Sequence, residues 1–125
     1  MTAIRDVMST GLVSVEPGAT VAEAATVMGT RKVGAALVME SDRLVGIFTE
    51  RDILHALGSD FDAAGHLVSH WMTTGPTTLE PDADVSEALA LMLDRGFRHI
   101  PVVEGDRVVG IVSLRDVTPH DRHDL

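Results

Sequence analysis

Two octapeptides decide how this chain is read: "GIFTERDI" at residues 46–53 and "GIVSLRDV" at residues 110–117. Each passes from apolar residues into a hydroxyl residue, Thr49 or Ser113, and then places an acid three positions on, Asp52 or Asp116. A strand running into a capped helix has this spelling, because the hydroxyl accepts from the third helical N–H while the acid reaches back to the cap. One such phrase reads as a helix cap. Two of them raise the question of a repeat.

Working outward, a shift of about 64 residues lays the chain over itself without a gap, with about 20 identities in roughly 50 positions. "MSTGLVSVEPGATVAEAATVM" at 8–28 lies over "MTTGPTTLEPDADVSEALALM" at 72–92, and "VMESDRLVGI" at 38–47 over "VVEGDRVVGI" at 102–111. Each copy has the same order of elements. A short extended piece, 12–15 or 77–79, is followed by a turn, "EPGAT" or "EPDAD", with Thr20 and Asp84 as N-cap candidates. Val21, Ala24, Ala25 and Met28, like Val85, Ala88, Leu89 and Met92, recur at helical spacing. Two strand runs follow in each copy, 35–39 with 44–48 and 99–103 with 107–112, joined by the polar turns "ESD" and "EGD". Second helices begin at Glu50 and Leu114.

The predicted unit is therefore β-α-β-β-α, used twice, in the mixed α+β class. One copy holds a three-stranded sheet that cannot bury its face alone, so two copies pack together. The expected organisation is a first repeat at 1–57, a linker at 58–66, a second repeat at 67–120 and a tail at 121–125. A short helix within 64–72 leads into the second copy.

Composition narrows the function classes. Apolar residues make up 45% and aromatics 3%, with one Trp and no Tyr, so the core is aliphatic. The formal net charge of −9 argues against a nucleic-acid surface, which needs a basic face. With no Cys, thiol catalysis and disulfides are excluded, which suits a cytoplasmic setting. The longest apolar runs are too short to span a membrane, and the N-terminus lacks a signal-type apolar region.

The repeated phrase also has a ligand-binding reading. A helix N-terminus offers N–H groups and partial positive charge to a phosphate. A carboxylate one turn on can accept both hydroxyls of a ribose. Arg51 and Arg115 lie between hydroxyl and acid, where a guanidinium pairs with phosphate. Gly46 and Gly110, inside strands, mark bulges or close approaches, and are read as room for a ligand over simple sheet packing.

The tandem β-α-β-β-α order, with "GIFTERDI" and "GIVSLRDV" closing each unit and "HIPVVEGDRVVGIV" before the second close, resembles a pair of CBS (cystathionine-β-synthase-type) domains packed by pseudo-two-fold symmetry, a Bateman module. The resemblance covers residues 4 to about 120. It implies adenosine-containing ligands (AMP, ADP, ATP, NAD or S-adenosylmethionine) in clefts between the repeats, with no further cofactor. Asp52 and Asp116 would hold ribose hydroxyls, and Thr49 and Ser113 would lie near ribose or phosphate. Gly34, Ala35 and Ala36 would line one adenine slot, and Arg98, His99, Ile100 and Pro101 the other. The first extended segment of the opposite copy would close each site: Thr10, Gly11, Leu12 and Val13 over Asp116, and Thr74, Gly75, Pro76 and Thr77 over Asp52. Arg98, His99 and Arg115 give the second site more positive charge than Gly34, Ala35 and Arg51 give the first, so the second is expected to bind a charged nucleotide more tightly.

The resemblance further implies a regulatory sensor, a homodimer through helices and a partner protein of unknown identity. The alternative is a structural or protein-interaction module that binds no ligand. An enzyme is the weakest reading, since no nucleophile and base pair or P-loop is visible. His66 and His70 are four apart but lack a third metal ligand, and His120 and His123 read as tail. Met8, Met28, Met72 and Met92 are repeat-matched core fillers. Trp71 is placed at an interface between repeats or subunits, or else in the core.

Overall fold

Residues 1–118 are described in the computed structural model, and they fall into two units, Gly11–Pro76 and Met1–Thr10 with Thr77 onward. The residues beyond 118, which include His120 and His123, lie outside the described part of the chain.

The first unit runs β1 (Ser14–Val15), α1 (Val21–Arg31), β2 (Ala35–Glu40), β3 (Arg43–Thr49), α2 (Glu50–Ser59), a 3-10 turn (Ala63–Gly65), α3 (Val68–Trp71) and β4 (Thr73–Thr74). Helix α1 starts where a reciprocal cap forms. The Thr20 hydroxyl accepts from the Glu23 N–H at 3.0 Å, and Glu23 Oε1 accepts from the Thr20 N–H at 2.8 Å. Its apolar stripe, Val21, Ala24 and Met28, is buried. It ends at Lys32, whose backbone is left-handed at φ 58°.

Strands β2 and β3 form an antiparallel hairpin whose register pairs Ala35 with Thr49 and Glu40 with Arg43. Strand β1 joins β2 in parallel and β4 joins β3 antiparallel, so the sheet has four strands in the order β1-β2-β3-β4. The expected three-strand sheet gains a strand here because Thr73 and Thr74, which lead toward the second sequence copy, pair with Ile47 and Gly46. A two-residue strand carries no periodicity to reveal it. The core gathers Val13, Val21, Met28, Ala36, Val38, Phe48, Ala56, Ala63 and Val68. Ala63 is fully buried, so the turn after α2 is part of the packed unit.

The second unit holds α4 (Val85–Arg95), β5 (His99–Glu104), β6 (Arg107–Ser113) and α5 (Leu114–Val117). Asp84 caps α4 by accepting from the Ser86 N–H at 3.1 Å. Strands β5 and β6 repeat the β2–β3 register, including its irregularity: it shifts after Val102 as it does after Val38. The segment Met1–Thr10 belongs to this unit. Ile4 is fully buried beside Ala88, Met92, Ile100 and Val112. Its N–H donates to the Ala83 carbonyl at 2.8 Å, and Ser9 exchanges two backbone bonds with Ile111 at 2.9 and 3.0 Å.

This arrangement overturns the reading of Gly46 and Gly110 as room for a ligand. A Cβ on Gly46 would lie 2.6 Å from Met72 Sδ and 2.8 Å from the Thr73 carbonyl oxygen. One on Gly110 would lie 2.9 Å from Met8 Cγ and 3.1 Å from the Ser9 carbonyl oxygen. The space is taken by the segments 72–73 and 8–9, so close packing of chain on sheet requires each glycine. Met8 and Met72 pack on the cores of their units, and Met28 and Met92 are buried within them.

Candidate functional site

In both units the hydroxyl and the acid of the repeated phrase come together at the start of a helix. The Thr49 N–H donates to Asp52 Oδ2 at 2.9 Å, and the Thr49 hydroxyl donates to the same oxygen at 3.1 Å. The Asp52 N–H returns a bond to Thr49 Oγ1 at 3.2 Å. In the second unit the Ser113 N–H and hydroxyl donate to Asp116 Oδ2 at 2.8 and 3.0 Å. The cap therefore uses one carboxylate oxygen. Among the described residues Oδ1 of neither acid receives a hydrogen bond, and a carboxylate oxygen has two lone pairs to offer.

The same bonds correct the expectation that the helix starts offer unpaired N–H groups to a phosphate. The Glu50 N–H donates to the Gly34 carbonyl at 3.0 Å, and the Leu114 N–H to the Arg98 carbonyl at 2.8 Å. With the Asp52 N–H held by Thr49, the first turn of α2 has most of its donors satisfied locally. An anion at this place needs side-chain cations.

Asp52 and Asp116 are half-buried. Burial pushes the Asp52 carboxyl above the usual carboxylate range. The bonds from Thr49 and the nearby His55 and Arg51 charges pull it down, but by less. A carboxyl raised on folding holds its proton more tightly in the folded state. Its contribution to stability is therefore full below the unfolded value and is lost as pH rises through the raised one. The ionised Asp52 is a cost to the fold at neutral pH. In urea melts from acid to neutral pH, Asp52→Asn is expected to gain stability relative to wild type as pH rises. A difference that is flat with pH, or that falls, counts against this assignment.

The other sequence candidates divide as follows. Gly34 and Ala35 adjoin the phrase, Gly34 through Glu50 and Ala35 by pairing with Thr49. Arg98 and His99 adjoin it in the second unit, His99 by pairing with Ser113. Arg51, Arg98 and Arg115 are exposed. Ala36, Ile100 and Val13 are core residues, so only their backbones remain for a ligand, and Pro101 is fully buried. The register carries Thr74 and Gly75 down β3, with Thr74 opposite Gly46 and the Gly75 N–H on the Val45 carbonyl at 3.2 Å. Three to four strand residues, about 10–13 Å, separate them from Thr49. Pro76 ends this unit, and Thr77 begins the main stretch of the other. Thr10 closes the N-terminal segment of the second unit, while Gly11, Leu12 and Val13 belong to the first.

Trp71 packs against the first unit's core and lies beside two histidines. Its Nε1 donates to His66 Nδ1 at 3.4 Å, and its ring meets His55 edge-on at 5.9 Å between centroids. His66 also stands 3.7 Å from Asp60. Among the described residues no group of three or more His, Cys, Asp or Glu could hold a metal ion. Nor is any described helix long and apolar enough to cross a membrane. Lys32 takes a left-handed backbone that carries no sequence signal of its own, at the position the second copy fills with Gly96.

Two hairpins with one register, each closed by the same hydroxyl–acid cap, match a known family. The CBS domain model fits residues 4–59 and again 68–120. This chain belongs to the CBS domain family. It is similar to a CBS-domain-containing protein from Agrobacterium tumefaciens, at 30% identity and a TM-score of 0.89, covering 93% of this chain and 96% of that one. It is similar to the CBS domain pair of protein MJ0100, solved with 5′-methylthioadenosine and S-adenosyl-L-methionine, at 27% identity and a TM-score of 0.84, covering 93% and 92%. It is also similar to CBSX2, solved with AMP, at 25% identity and a TM-score of 0.80, covering 94% and 93%. The mixed α+β architecture is that of these CBS structures.

Proposed function

We propose that this CBS chain is a regulatory module that binds an adenosine-containing ligand at its two hydroxyl–acid phrases and reports that ligand to a partner protein. The observation that carries the reading is the shared cap geometry. One oxygen of Asp52 and of Asp116 is committed to the helix start, and the other is left to accept ribose hydroxyls. The raised carboxyl of Asp52 supports it, since an acid kept at a cost to folding answers to something other than stability. The complexes of related CBS proteins with AMP and with S-adenosyl-L-methionine supply the ligand class.

Arg98, His99 and Arg115 favour an anionic ligand at the second phrase, AMP, ADP, ATP or NAD. S-adenosylmethionine is the less anionic alternative. Signalling works by population shift: a ligand that binds one conformation better raises its share, and the partner protein reads that conformation. The module works as a homodimer and performs no chemistry of its own. Calorimetric titration of nucleotide-free protein with these ligands tests the proposal. Saturable binding of at least one is expected. A folded protein that binds none leaves the phrases as helix caps and favours the ligand-free interaction module.

A further inference from the structure

Trp71, the one tryptophan of the chain, stands among three histidines in the first unit. The His66 ring lies nearly parallel to the indole, at 11° and 6.2 Å between centroids, and His70 lies 6.1 Å from His66. His55 meets the indole edge-on from α2. The repeat supplies an internal comparison. His66, His70 and Trp71 lie over Thr2, Asp6 and Val7 of the other copy, so the shared scaffold does not itself demand this group.

The hydrogen bond from the indole fixes the protonation of His66. Its Nδ1 accepts from the Trp71 N–H at 3.4 Å, so the neutral ring carries its hydrogen on Nε2. Nε2 faces Asp60 Oδ2 at 3.7 Å. A second proton can go only to Nδ1. It turns the acceptor into a donor, sets two N–H groups against each other and ends the bond to Trp71, while Asp60 attracts the new charge. Histidine is the side chain that changes charge between about pH 5 and 8, and 35% of the His66 side chain is open to water. The other charges come from each element packed here. Asp62 follows Asp60 and donates its N–H to Asp60 Oδ1 at 2.9 Å. Helix α2 brings His55, with Asp52 one turn back, and α3 brings His70. Helix α1 brings Glu23, whose carboxylate is held by the Thr20 N–H, and β3 has its one charge, Arg43, at the hairpin end.

The two partners are not equally anchored. The His66 carbonyl accepts from the Val21 N–H at 2.9 Å, and Ala63 and Val68 on either side are fully buried. Trp71 ends α3 and leads directly to Met72, which lies against Gly46, and to β4, a two-residue edge strand on β3. An edge this short belongs to the low-stability end of a fold, where one bond more or less is felt. We infer that His66 and Trp71 form a pH-operated latch: protonation of His66 releases the indole and loosens the seating of Met72 and β4 on β3. The second unit has the equivalent edge, Ser9 bonded to Ile111, with no histidine at the matched positions, so the device belongs to the first unit alone.

Amide exchange of the full chain at pH 7.5 and 5.5, expressed as protection relative to the unfolded chain at each pH, reads the latch. The probes are the Met72 N–H, bonded to the Val68 carbonyl at 2.9 Å, and the Gly75 N–H, bonded to the Val45 carbonyl at 3.2 Å. Their protection is expected to fall about 2–10-fold at the lower pH, the worth of one hydrogen bond, while Ser9 and Ile111 keep theirs. Trp71 emission moves to longer wavelength over the same range. His66→Asn places an amide oxygen near the Nδ1 position and accepts from the indole at either pH, so it should abolish both responses. His66→Gln, neutral throughout, is the second variant and should abolish them too. Asp60→Asn removes the carboxylate that favours the charged ring and should move both responses to lower pH, a shift that a merely structural histidine does not produce. Circular dichroism confirms that each variant folds. Unchanged protection in the wild type, a response that persists in the folded His66 variants, or an equal loss at Ser9 and Ile111 overturns the inference.

Discussion

Asp116→Asn is expected to weaken adenosine-nucleotide binding at the second phrase by about 10–100-fold, with the fold intact. The variant keeps the side-chain shape, and an amide oxygen can still accept the Ser113 N–H that now bonds Oδ2 at 2.8 Å. On the proposed reading, what it removes is the charged acceptor for two ribose hydroxyls. Hydrogen bonds to a charged group contribute about 1.5–3 kcal/mol, and each 1.4 kcal/mol is a tenfold change in affinity. Asp52→Asn should act in the same way at the first phrase, and the double variant should bind nothing measurable. Calorimetry reads the affinities, and circular dichroism melts confirm that each variant folds. Wild-type affinity in the folded double variant would remove both carboxylates from the site and leave them as helix caps. The Asp52 variant has a second signature, since its stability should rise relative to wild type toward neutral pH while its affinity falls. A purely structural cap predicts no such opposition.

Much of this architecture is legible in the sequence because its signals are local and occur twice. The stripe Val21, Ala24 and Met28 specifies α1, Thr20 and Glu23 mark its start, and the polar turns fix both hairpins. The pairing of Thr49 with Asp52 follows from spacing alone. Long-range placement is what the sequence hides. Nothing in "MTAIRDVMST" says that Ile4 fills the core built by Ala88, Ile100 and Val112, far along the chain. Nothing in "TT" says that Thr73 and Thr74 add an edge to the sheet of the preceding copy. Burial misleads in a similar way. Ala36 and Ile100 sit in the strand starts that line the expected adenine slots, but alternation along the strand turns their side chains into the cores. Ala35, itself buried, and the half-buried His99 are the residues paired with the motif hydroxyls. Left-handed backbone at Lys32 and Ser41 is equally silent, because lysine and serine carry no expectation of positive φ.

Gly46→Ala is expected to destabilise the protein by about 2–3 kcal/mol, and Gly46→Val by more. The added Cβ meets a methionine sulfur, which can move, and the Thr73 carbonyl oxygen, which is held by the pairing of β3 with β4. Met72→Ala combined with Gly46→Ala should therefore cost less than the sum of the separate effects without restoring wild-type stability. Gly110→Ala should behave alike against Met8 and Ser9. Gly58 is the internal control: it lies within α2, where an added Cβ would meet nothing within 4 Å, and Gly58→Ala should stabilise by about 0.5–1 kcal/mol. Denaturant melts of the set separate the two accounts of these motif glycines. If they admit a ligand, an alanine there costs affinity and little stability. If they seat the crossing segments, it costs stability first, with affinity following only as the sheet edge moves. Wild-type melting of Gly46→Ala would show the space beside the glycine to be open and would reinstate the ligand account. A large loss of stability ties the first letter of the repeated phrase to the packing of the chain on its sheet.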